Sequence, residues 1–185
     1  MGNVVLTHGI LTDGRDIDRL RPALMEDYAS VLRGYYDWSF LVRVRLCNHA
    51  LSTMMAGLVL PGTDGVAHSN GCAIQLEAAR LGAPFRNLVF VNPALDADVD
   101  VPETVQRLIV LYTPHDTPTR VAKYLLWHPW GDMGRKGYRG RFSNVWNVNM
   151  ATAIPHAPVI GHSGVFESPD WLLYIRHLLR LARQE

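Results

Sequence analysis

Short aliphatic runs alternate with longer helical stretches along all 185 residues, and that alternation constrains the fold more than any other feature of the chain. The runs at 3–7 (NVVLT), 87–91 (NLVFV) and 108–112 (LIVLY) are apolar almost throughout, with no polar residue at every second position. Such strands are buried on both faces, which is the condition of a parallel sheet covered by helices. Further runs at 30–36, 64–68 and 144–148 bring the expectation to about six mostly parallel strands.

Helices are predicted between them. One is expected over about 16–28, with Pro22 either kinking it or marking a second start; one over 40–60, stopped by Pro61-Gly62; and one over 72–81, closed by Gly82. The final helix opens with Ser168 and Pro169 and repeats Trp171, Tyr174, Ile175, Leu178, Leu179 and Ala182 at helical spacing. Arg176, Arg180 and Arg183 fall late in it, where cations oppose the helix dipole.

A chain of this length suits a single domain spanning 1–185, and no repeat or low-complexity segment divides it. Hydrophobic residues make up 48% and charged residues 19%, a soluble globular balance, and a net charge of +1 gives no general attraction to nucleic acid or to an anionic membrane. The two cysteines, Cys47 and Cys72, form neither a disulfide framework nor a zinc signature. No run approaches the roughly 18 apolar residues of a membrane span, and MGNVVLTHG lacks a leader's basic and apolar regions. The expectation is a cytoplasmic protein without an integral membrane segment. Neither a metal motif of the HExxH kind nor a GxxxxGK[ST] loop occurs, and Gly134, Gly137 and Gly140 read as loop residues without the strand and helix a dinucleotide needs. No cofactor or metal is expected.

In parallel α/β sheets, ligands bind beyond the carboxyl ends of the strands, so the residues there carry the chemistry. They read His8-Gly9-Ile10 after the first strand, Ala67-His68-Ser69-Asn70-Gly71 around the end of the third, Asn92-Pro93 after the fourth, His115-Asp116 after the fifth and Gly161-His162-Ser163-Gly164 after the sixth. A serine, an acid and a histidine follow in that order at one edge of the sheet.

The strand-AHSNG-helix unit, the early HG loop and the order Ser, Asp, His resemble the α/β-hydrolase family over nearly the whole chain. The resemblance implies a three-layer fold of minimal form, lacking the two N-terminal antiparallel strands of larger members because the HG loop begins at residue 8. It also implies an elbow in which Ser69 sits strained between strand and helix, flanked by small residues that let the two pass closely. Gly71 meets that need on one side; on the other, Ala67 stands where the family usually has glycine.

The roles follow from the same comparison. Ser69 is the expected nucleophile and His162, between two glycines, the expected base; among the eight histidines, His156 is the nearest rival, in a loop restricted by Pro155 and Pro158. His8 and His68 read as structural histidines near the oxyanion loop and the elbow. Asp116 occupies the family's usual place for the acid, although Asp-Thr-Pro is also a helix start, and Asp96, after the fourth strand, is the substitute position of some lipases. Backbone N–H groups of Asn70 and of Ile10, with Leu11 as the alternative, would form the oxyanion hole, each worth roughly 3 to 4 kcal/mol.

The family's lid is usually inserted after the fourth of these strands, where residues 92–107 are too few for a helical cap. An open site is expected unless residues 117–143, with Trp127, Trp130, Met133, Tyr138 and Phe142, fold over it to grip an acyl chain or merely pack. Arg135, Lys136, Arg139 and Arg141 give that stretch a local basic cluster, read first as solvated. The expected activity is hydrolysis of a small-molecule carboxylic ester through an acyl-enzyme. A thioesterase, an amidase or peptidase with the same triad, and a non-catalytic binding module on the same fold remain open alternatives. Nothing in the sequence sets an oligomeric state.

Overall fold

Six strands form one sheet in the computed structural model, which describes residues 1–10, 12–34, 36, 44–117, 131–159 and 161–185. They are β1 (Gly2–Thr7), β2 (Tyr28–Gly34), β3 (Thr63–His68), β4 (Phe85–Val91), β5 (Arg107–Tyr112) and β6 (Val145–Asn149). Their spatial order is β2-β1-β3-β4-β5-β6 and every pairing is parallel. The chain steps from β1 outward to β2, then returns past β1 to β3 and proceeds the other way to β6. That reversal lies between β1 and β3, and connections that leave neighbouring strands in opposite directions open a crevice at their carboxyl ends.

The apolar runs divide by alternation into two cores. Val4, Leu6, Val66, Val89, Val91, Ile109 and Leu111 meet Ile17, Leu24, Trp171, Ile175 and Leu179 on one face of the sheet. Val5, Ala67, Leu88, Phe90, Leu108 and Val110 meet Met55, Ile74, Leu76 and Ala78 on the other. The first face is covered by α1 (Arg15–Asp18), α2 (Arg21–Leu24) and the last helix, the second by α3 (Val44–Leu58) and α4 (Asn70–Arg80). Each large aliphatic side chain buried this way is worth roughly 1.5 to 3 kcal/mol. The result is the three-layer α/β architecture expected from the runs.

Several elements depart from expectation. The helix predicted over 16–28 is two single turns, α1 and α2, and Pro22 sits at the start of the second. The chain then enters β2 at Tyr28, two residues early, because the Tyr28 hydroxyl donates to the buried Asp64 carboxylate at 2.7 Å. α4 begins at Asn70 rather than Cys72, so Ser69 alone makes the turn. Gly134 lies within a single-turn helix, α5 (Met133–Lys136), where the sequence read as loop. The last helix, α6 (Pro169–Gln184), follows Ser168, whose hydroxyl makes no capping bond.

Residues 92–106 contain no helix or strand, in keeping with the expected lack of an inserted cap there. Leu11, the beginning of the helix predicted over 40–60, and His128, Trp127 and Trp130 lie outside the described residues. Among the described residues no helix is long and apolar enough to cross a membrane.

Candidate active site

β3 ends at His68 and α4 starts at Asn70, which leaves Ser69 with φ 53° and ψ −121°. An L-residue held there costs on the order of 1 to 3 kcal/mol and needs its neighbours to impose it. The Ser69 N–H donates to the Val91 carbonyl at 3.0 Å, and its own carbonyl accepts from Cys72 and Ala94, both at 3.2 Å. Close packing does the rest. A methyl group at Gly71 would fall against the carbonyl oxygens of Thr7 and His8, 2.5 Å from the latter, and one at Gly9 would lie 2.9 Å from the Ser69 Cβ. The elbow and the HG loop after β1 therefore touch across the crevice. Ala67 is fully buried in the core beneath, so its methyl group is accommodated.

The Nδ1–H of His162 donates to Asp116 Oδ2 at 2.9 Å, with the carboxylate fully buried and the imidazole side chain 17% exposed. A neutral ring that donates from Nδ1 keeps Nε2 as its basic nitrogen. α5 backs onto this acid: a methyl at Gly134 would lie 3.1 Å from Asp116 Oδ2 and only 2.9 Å from the Asn92 backbone carbonyl carbon, so a side chain there would force the backbone to shift. Asp96, the alternative acid, is exposed. His156 lies 3.3 Å from Asp170 on the surface and is not part of the site. Among the described residues no hydrogen bond joins Ser69 Oγ to His162; such bonds are often long until substrate binds. The two are bridged by His68, the residue before Ser69, whose ring centroid is 4.6 Å from that of His162.

Ile10 is half-buried behind Gly9, and Asn70 opens α4. A polar chain ties these two segments together. Tyr36 donates its hydroxyl hydrogen to the His8 carbonyl at 2.7 Å and accepts from the Asn70 amide at 3.3 Å, while Asn70 and Asn48 exchange amide bonds at 2.9 Å. His8 Nδ1–H donates to the Gly9 carbonyl at 2.6 Å and Nε2 accepts from the Tyr36 N–H at 3.2 Å, which fixes its tautomer. The two rings stack at 4.3 Å. Burial holds the Tyr36 hydroxyl protonated by raising its pKa well above the usual phenol value.

His68 is fully buried, and burial, reinforced by the neighbouring His162, lowers its pKa to about 3, so the ring is neutral. Its Nε2–H donates to the His162 carbonyl at 3.1 Å. Asn92, with φ 43°, donates to the same oxygen at 2.6 Å. Sequence reasoning found Asn92 by its place after β4 but assigned it no role, and it missed Tyr36, Asn48 and Gly134. Only an asparagine's tolerance of a left-handed conformation signals such a position; the other three act through partners distant in the chain.

The aromatic segment divides. Met133 and Tyr138 belong to the core on the face of the sheet covered by α3 and α4, and Phe142 is partly buried against it. Lys136 pairs with Asp132, and Arg139 and Arg141 are exposed, whereas Arg135 is half-buried with its Nε sealed from solvent, so the cluster is solvated only in part. Among the described residues no group of three or more His, Cys, Asp or Glu side chains is placed to hold a metal ion.

No protein-family model matches the chain, and no curated protein matches its sequence. Solved structures do. The mouse alpha/beta hydrolase domain-containing protein 10 superposes with a TM-score of 0.61 at 11% identity, covering 98% of this chain and 90% of that one. A thermophilic esterase from Thermogutta terrifontis gives 0.59 at 14% identity, with the same coverage of 98% and 90%. A pyrethroid hydrolase from Sphingobium faniae gives 0.59 at 13% identity, covering 98% and 97%. With its sheet reversing between β1 and β3, its elbow between β3 and α4, and neighbours of this kind, the chain has the α/β-hydrolase fold.

Proposed function

We propose that the protein is a serine hydrolase that cleaves a small-molecule carboxylic ester, with Ser69 as nucleophile, His162 as general base and Asp116 as its orienting acid. One observation carries the reading: the buried Asp116 carboxylate holds His162 Nδ1 at 2.9 Å, at the sheet edge where Ser69 is strained into an elbow. The esterase and hydrolase names of the structural neighbours support the same class.

In the first half-reaction Ser69 Oγ attacks the ester carbonyl while His162 Nε2 takes its proton, then passes that proton to the leaving alkoxide. The negative charge on the former carbonyl oxygen is received by the N–H groups of Asn70 and Ile10. Neither N–H has another acceptor among the described residues. Water, deprotonated by His162, then attacks the acyl-enzyme and releases the acid and free Ser69. Asp116 stays ionised and keeps the imidazole in the donating tautomer at Nδ1.

Labelling with a fluorophosphonate and mapping of the modified peptide tests this on the wild type, Ser69→Ala and His162→Ala. The expected result is label on Ser69 that is lost in both variants. A folded wild type that takes no label overturns the reading in favour of a binding module.

A further inference from the structure

The base-bearing loop is anchored on its C-terminal side by the turn Gly164–Glu167, whose Val165 and Phe166 are buried, and its own sequence restrains the His162 side less. Gly161 has φ 97° and open space where a side chain would be, and a methyl at Gly164 would meet nothing closer than Val159 Cγ1 at 3.7 Å. What holds the His162 side comes from elsewhere. The His162 carbonyl oxygen accepts two hydrogen bonds, from His68 Nε2 at 3.1 Å and from Asn92 Nδ2 at 2.6 Å; Asn92 also reaches the Gly161 carbonyl at 3.4 Å.

Both donors are themselves anchored. His68 is the last residue of β3 and the immediate neighbour of Ser69, and its ring stands edge-on to Phe166 at 5.1 Å. Asn92 is buried in a left-handed conformation, with its own N–H given to the Leu111 carbonyl at 2.8 Å, between β4 and β5. The strand end that carries the nucleophile thus also carries a donor to the backbone of the base. A neutral imidazole has one N–H, and His68 directs it at His162.

We propose that His68 and Asn92 are positioning residues that grip the His162 carbonyl from two sides and so set its imidazole against Ser69. The proposal rests on the serine-hydrolase reading. Asp116 restrains only the ring's Nδ1; fixing the backbone removes the remaining freedom of the loop to carry the ring away from Ser69. Misplacement of a reacting group by about 1 Å costs on the order of 100-fold in rate.

Fluorophosphonate labelling at a series of probe concentrations separates the limiting rate from the half-saturating concentration. His68→Leu removes the N–H at similar volume, His68→Gln returns an amide N–H at similar reach, and Asn92→Gly removes the amide while keeping the left-handed backbone. The expected result is a limiting rate about 10- to 100-fold lower in His68→Leu and Asn92→Gly, with half-saturation changed less than about 3-fold. His68→Gln should recover to within about 5-fold of wild type.

Equal limiting rates in wild type and Asn92→Gly, a His68→Gln as slow as His68→Leu, or a loss confined to half-saturation would overturn the positioning role alone. A wild type that takes no label overturns the hydrolase reading and this role with it. Should His68→Leu not fold, as its thermal melt would show, Asn92→Gly and His68→Gln decide the matter.

Discussion

At the scale of single residues, burial separates groups that look alike in the chain. Asp96 and Asp116 both follow strands, and residue type and position left either as the acid. The fold exposes Asp96 and seals Asp116 under Gly134 within reach of His162 Nδ1. Asp116→Asn should therefore lower the rate of Ser69 phosphonylation by about four orders of magnitude, since an amide favours the wrong imidazole tautomer. Asp96→Asn should label at the wild-type rate. Ser69 and His162 stood out in the sequence as candidates, through a strand-turn-helix serine and a loop histidine after the last strand, in the order the resemblance implies. Asn92 and Tyr36 did not, because each acts on a residue that only folding brings near.

At the scale of elements, the elbow depends on how closely α4 can approach the end of β1. Gly71 carries that requirement: its missing methyl makes room for two backbone carbonyls, which cannot move without disturbing the sheet. Gly57, on the exposed side of α3, has no atom within 4 Å of where a methyl would be and a backbone in the ordinary helical range. Alanine should act oppositely at the two sites. Gly71→Ala should lower unfolding free energy by about 3 kcal/mol. Gly57→Ala should raise it by roughly 0.5 to 1 kcal/mol through helix propensity alone. Urea midpoints for the two variants check both signs. The helix at 70–80 was legible to within two residues at its start and one at its end. The division of 15–24 into two single turns was hinted at by Pro22, but the early entry into β2 was set by the Tyr28 contact with Asp64.

At the scale of the whole molecule, the C-terminal helix is locked to the N-terminal part of the chain by charge as well as by its apolar face. Asp27 receives Arg180 Nε and Arg176 Nε, each at 2.6 Å, and Arg183 Nε reaches the buried Asp64 at 2.6 Å. Hydrogen bonds from Arg180 and then Arg176 hold the Asp27 carboxyl well below the usual carboxylate range. A carboxyl whose folded pKa is depressed stabilises the fold fully above its unfolded value of about 3.9 and loses that contribution as pH falls toward the folded one. Asp27→Asn should thus have a lower urea midpoint than wild type at pH 6, and the gap should narrow as pH falls below about 4. The arginines late in the last helix were read as opposing its dipole; the fold gives them partners roughly 120 to 150 residues away.

The order of strands and helices and the two-sided burial of the sheet belong to the sequence itself, because each rests on periodicity or on a turn a few residues long; the candidacy of Ser69 and His162 came from their place after strands in that order. Which carboxylate meets the imidazole, what holds the His162 carbonyl, and why glycine is needed at Gly71 and Gly134 were decided only in three dimensions. Those features depend on the distance between segments far apart in the chain, and no local pattern encodes that distance until the sheet has assembled around the crevice between β1 and β3.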